Sequence, residues 1–118
     1  MRLDEVQSIL EADIIVDANL KETEVGMGCG ADLMSDVLAF GKKNALLLTG
    51  LTNPQVVRTC EMAEVVAICF VRGKRPNPET VLLARKEKMP LLATRVPMFE
   101  SCGRLYAGGL KGCSEMHP

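Results

Sequence analysis

The chain is poor in the residues on which much protein chemistry depends. Among its 118 residues there is one histidine, His117, next to the last position, and no tryptophan. Without an interior histidine, a serine or cysteine nucleophile lacks its commonest activating base. Zinc sites usually show close cysteine or histidine pairs, and none occurs here. Five cysteines (Cys29, Cys60, Cys69, Cys102 and Cys113) include no C-x-x-C pair, so free thiols in a reducing compartment are expected, with no metal and no cofactor. Aromatic residues make up only 3%, which argues against base-stacking platforms. The net charge of −1 provides no field for nucleic acid or an anionic membrane. No apolar run approaches the length of a bilayer span. The opening "MRLDEVQSIL" is amphipathic and acidic, unlike a signal peptide, and a cytoplasmic protein is expected.

What is present suits one folded domain: 47% apolar and 25% charged residues in a length that can bury its own core. Leu3, Val6, Ile9 and Leu10 share one helical face. "DIIV" is a short strand, and "TEVGMG" is a second that ends in a glycine turn. "ADLMSDVLAF" is helical, with Asp32 at its first turn and Gly41 ending it. "NALLLTG" is an unbroken apolar strand. A helix follows, with Asn53 as N-cap and Pro54 at its first position. The run "VVAICFV" lacks alternation, as a parallel strand buried on both faces should. Asn77-Pro78 repeats the helix start, "PLLAT" is the next strand, and a last helix runs from Pro97 to about Tyr106. Strands alternating with helices predict a single small α/β domain with a mainly parallel sheet flanked by helices.

The stretch "GMGCGADLMSDVLA" raises the first functional question. Gly26, Gly28 and Ala31 fit a relaxed G-x-G-x-x-A fingerprint for dinucleotides, in which a helix start faces pyrophosphate. The next strand should then end in an acidic residue to hold the ribose, but it ends in Thr49-Gly50. The phosphate-loop pattern G-x-x-x-x-G-K-[ST] is absent. The stretch reads better as a tight strand-to-helix corner. Cys29 in that corner is either a reactive thiol lowered in pKa by the helix start or a small residue fitted to a turn.

In open parallel sheets, ligands bind outside the carboxyl ends of the strands. The segments expected there supply Gly28, Cys29, Gly30, Asp32, Thr49, Thr52, Asn53, Arg72 and Thr94 as ligand-binding residues, within loops that extend to Arg75 and Arg95. Singly, each is explained as a solvated loop residue. As a group they are expected to hold a small anion or nucleotide. No residue is assigned a catalytic role.

"CGADLMSDVLAFGKKNALLLTGLTNPQVV" and "VVAICFVRGKRPNPETVLLARKEKMPLLATRVPMFESCGRLY" resemble the DRTGG domain family, most strongly over Asp32 to Val37 and Phe99 to Tyr106. The name-giving string is absent, and Val25-Gly26-Met27-Gly28 occupies its region. The resemblance implies a fold like the N-terminal domain of HPr kinase/phosphorylase, spanning residues 1–110; the closing "KGCSEMHP" reads as a flexible tail at 111–118. It also implies a non-catalytic regulatory or assembly module that self-associates and binds a small ligand or a partner enzyme. A mean hydropathy of +0.13 in so short a chain also points to a homodimer. The alternatives are an enzyme with minor phosphotransfer or thiol chemistry at Cys29, and a purely structural dimerisation domain.

Overall fold

The computed structural model describes residues 1–113. Two apolar runs set the architecture, because β3 (Ala45–Thr49) and β4 (Ala67–Phe70) are buried at every position. Strands hidden on both sides need a layer of helices on each face. The sheet is ordered β1-β5-β4-β3-β2-β6, with β1 at Asp13–Val16, β2 at Met27–Gly30, β5 at Leu91–Ala93 and β6 at Lys111–Gly112. All neighbours run parallel except β1, which pairs antiparallel with β5. The expected α/β class and mainly parallel sheet are therefore observed.

The strands β2, β3, β4 and β5 add in one direction across the sheet. Their crossover helices α2 (Met34–Phe40), α3 (Gln55–Met62) and α4 (Pro78–Glu87) consequently lie on one face. Val37, Val56, Val57, Cys60 and Ala84 from these helices close over Leu47, Ile68, Phe70 and Leu91. The other face is covered by α1 (Leu3–Leu10) and α5 (Met98–Ala107), which pack Leu3, Val6, Leu10 and Leu105 against Leu46, Leu48, Cys69 and Leu92. Alternate residues of each central strand feed the two cores, the period that a pleated strand dictates. Among the described residues, no helix is long and apolar enough to cross a membrane.

Several local expectations change. The glycine stretch is a strand rather than a turn, since Met27–Gly30 pairs along its length with Ala45 to Leu48. The reason is close packing: a Cβ on Gly28 would stand 3.1 Å from Leu110 Cδ2, and one on Gly30 would stand 2.9 Å from Cys102 Sγ. Glycine here lets the last helix and its exit lie on the strand. Asp32 does not serve the first turn of α2, which starts later, at Met34. Asn53 makes no side-chain cap; Pro54 is already helical (φ −61°), and Asn53 only accepts a backbone bond from Val56. Lys111 and Gly112, expected in the flexible tail, form a sheet strand beside Met27 and Gly28, and Cys113 is buried. The remainder of that tail, 114–118, lies outside the described residues.

Candidate functional site

The chain direction creates one place in the sheet where a crevice is required. The connection leaving β4 goes to α4 on one face, whereas that leaving β5 goes to α5 on the other. Adjacent strands whose exits diverge leave a gap at their carboxyl ends. A cleft of about 510 Å³ lies there, lined by Glu11, Asp13, Gly73, Arg75, Ala93, Thr94 and Arg95. That volume falls within the roughly 300–1,000 Å³ common for small-molecule sites. The antiparallel β1 adds Asp13 from its first residue, and Glu11 from the α1 C-terminus completes the acidic side.

The cleft walls are fixed by backbone and hydroxyl bonds. Arg72 (φ 59°) and Gly73 (φ 74°) turn the chain sharply after β4. Their amides donate to the carbonyls of Val96 and Thr94, at 3.0 and 2.9 Å, so the two exit loops are clasped together. The buried Thr94 hydroxyl donates to Leu10 O at 2.6 Å and accepts from Val96 N at 3.1 Å. Thr94 is thereby a strut between α1 and the α5 entry, with its hydroxyl already committed. The charges are arranged over this frame. Arg75 pairs with Asp13 at 2.8 Å, and Arg104 approaches Glu11 at 3.8 Å. Among the described residues no carboxylate lies within ion-pairing distance of Arg95. The cleft thus sets two guanidinium groups, one braced by Asp13 and one open, beside the carboxylates of Asp13 and Glu11.

The residues expected to bind ligand do not gather into this one cavity. Thr94 lines it, and Arg72 sits in its turn with an exposed side chain. Asp32 and Thr49 form a separate cluster at the ends of β2 and β3, where Asp32 Oδ1 accepts from Thr49 Oγ1 (3.0 Å) and Gly50 N (2.8 Å). Thr52 tethers α4 through its carbonyl, which accepts from Asn77 N (3.1 Å) and Thr80 Oγ1 (2.7 Å). Asn53 lies exposed beside it. Gly28 and Gly30 belong to the far edge of the sheet and face two smaller recesses of about 100 and 230 Å³.

Cys29 is also corrected. It lies within β2 rather than at a helix start, and no helix dipole lowers its pKa. Burial, then the neighbouring Cys113, push its thiol up to about 12. Cys60 and Cys69, both fully buried, are likewise pushed up to about 12 by burial. Sequence reasoning missed Glu11 and Asp13. Their arrival depends on β1 running against its neighbour, and "DIIV" carries no mark of its direction. The only local hint is the tight link between α1 and β1, closed by Ala12 N to Gln7 O at 2.9 Å.

No family model and no curated protein matches the chain. A solved structure does: the CBS and DRTGG domains of the regulatory region of Clostridium perfringens pyrophosphatase, complexed with its activator diadenosine tetraphosphate. The match has a TM-score of 0.75 at 18% identity and covers 92% of this chain and 47% of that one. The chain therefore spans about half the length of that regulatory region. What the two share is the fold, and the fold of this chain is DRTGG-like.

Proposed function

We propose that the chain is a non-catalytic regulatory module that takes a small anionic or nucleotide-like ligand in the cleft between β4 and β5. The observation that carries the proposal is the pairing of a switch-point crevice with Arg75 and Arg95 on a clasped backbone frame. Two further points support it. The hydroxyl of Thr94, a residue that lines the cleft, is bonded on both sides and is poorly placed to act as a nucleophile. The structural neighbour belongs to the regulatory region of an enzyme and holds a nucleotide activator, which favours phosphate-bearing ligands and a partner enzyme for this module. The reading sets aside phosphotransfer and thiol catalysis at Cys29. Its test is a thermal-shift screen of the whole chain against nucleotides, dinucleoside polyphosphates and acyl phosphates. A saturable rise in melting temperature that disappears in Arg95→Ala supports it, and no stabilisation by any of these compounds contradicts it.

A second reading, an association module that forms homodimers, is favoured by the surface of α5. Phe99 and Tyr106 are 84% and 73% exposed and, two turns apart in α5, form one exposed aromatic face. Light scattering coupled to size exclusion tests it. A dimer mass abolished by Phe99→Glu supports this reading, and a monomer mass at micromolar concentration rejects it.

A further inference from the structure

We propose that Cys29 and Cys113 are a modification site: they form a reversible intramolecular disulfide that staples β6 to β2. The strand register carries the inference, independently of the cleft and its ligand. Met27 stands opposite Lys111 and Gly28 opposite Gly112 in a parallel pair. The ladder continues past them, since Cys113 N donates to Gly28 O at 3.0 Å. One step further along both chains brings Cys29 opposite Cys113. Paired strands run about 4.8 Å apart, inside the Cα separation of about 4.4–6.8 Å that a disulfide requires. Residues opposite each other in a parallel pair project to the same face, and both cysteines line the same recess of about 230 Å³.

The other cysteines are poor competitors. Cys69 is fully buried within β4, and Cys60, fully buried on α3, has no strand register that holds it opposite Cys29. Cys102 lies on the opposite face of β2, where its Sγ fills the space above Gly30 and approaches Met98 Sδ at 3.9 Å. Cys29 is half-buried and Cys113 is 6% exposed, so Cys29 is the entry point.

With a low-molecular-weight disulfide as oxidant, the chemistry balances in two exchanges. The Cys29 thiolate attacks one sulfur of the oxidant, its S–S bond breaks, and one small thiol leaves with the electron pair and takes up a proton. The Cys113 thiolate then attacks the Cys29 sulfur of the mixed disulfide and expels the second small thiol. Two protein thiols are oxidised and one small disulfide is reduced to two thiols. The high pKa of Cys29 sets the tempo: little thiolate exists at neutral pH, so the bond forms slowly. A high-pKa thiol is also a poor leaving group, so the bond once made is slow to open. The result is a persistent staple on the last strand rather than a fast sensor.

The experiment uses the full 118-residue chain. Freshly reduced protein is incubated with oxidised glutathione, quenched with acid, digested without reductant and analysed by mass spectrometry. The expected product is one linked peptide pair containing Cys29 and Cys113, with no glutathione retained. It forms equally in Cys102→Ser. Closing so long a loop should raise the melting temperature by roughly 10 °C, and dithiothreitol should reverse the rise. A glutathione adduct at Cys29 that never resolves, a linkage through Cys60 or Cys102, or a disulfide between two chains would each overturn the proposal.

Discussion

The two edges of the sheet are built on opposite plans. At the β1 edge a strand runs against its neighbour, and the boundary is charged: Asp13, Arg75, Arg95 and Glu11 surround an open cleft. At the β6 edge the strands are parallel and nearly bare of large side chains. Gly28 and Gly30 let α5 and its exit press directly onto backbone. Polar groups on a rigid frame leave room for a ligand. Glycines under a helix let that helix pack against the strand. The glycine-rich segment, which invites reading as a nucleotide loop, is therefore the packed edge of the molecule, and the larger cleft lies at the edge whose sequence looks ordinary.

This contrast can be broken by substitution, and the largest effect is expected at the packed edge. Gly30→Leu must displace Cys102 Sγ, 2.9 Å from the new Cβ, and Met98 Sδ, 3.2 Å away. Overpacking of this kind costs about 1–3 kcal/mol, and denaturant unfolding should find the upper end. Next comes the strut of the cleft. Thr94→Val keeps the shape but leaves Leu10 O and Val96 N without their hydroxyl partner, a loss of about 1–3 kcal/mol. Thr94→Ser, which retains the hydroxyl, should recover most of it by the same measurement.

At the rim of the cleft the effect on stability should be small. Asp13 and Arg75 are both largely exposed, and such pairs contribute about 0–1 kcal/mol. Asp13→Asn should leave the unfolding midpoint nearly unchanged while strengthening anion binding, because it frees Arg75. Unchanged or weaker binding would show that Arg75 does not serve the ligand. The least effect near neutrality comes from protons on the core thiols. The folded state holds Cys60 and Cys69 at about 12 against an ordinary 9.0. Their contribution is constant below about pH 8 and is lost as pH rises from there towards 12, because the unfolded chain ionises first. Unfolding curves at pH 6, 8 and 10.5 check the sign: only the last step should weaken the protein.

Much of this plan was legible in the sequence. "VVAICFV" announced a strand buried on both faces because it lacks alternation, and Asn77-Pro78 marked a helix start that the structure keeps. The carboxyl-end rule led to Thr94 and to the loops bearing Arg75 and Arg95. What was hidden is long-range. Nothing in "DIIV" states that it runs antiparallel, so Glu11 and Asp13 could not be brought to the cleft. Nothing in "KGC" distinguishes a tail from an edge strand, because its pairing depends on where α5 releases the chain. Gly28 and Gly30 were visible as special positions, but a glycine required by a close helix and a glycine required by a phosphate look the same until the neighbour is known.

The central claim, that the receptive site is the β4–β5 cleft and not the glycine strand, is tested most directly by amide chemical-shift mapping. A ¹⁵N-labelled chain is titrated with diadenosine tetraphosphate and, separately, with ATP. The account predicts saturable shifts at Asp13, Gly73, Arg75, Thr94 and Arg95, with Met27 to Gly30 and Gly112 unmoved. Shifts centred on Gly28 to Ala31, with the cleft residues silent, would contradict it.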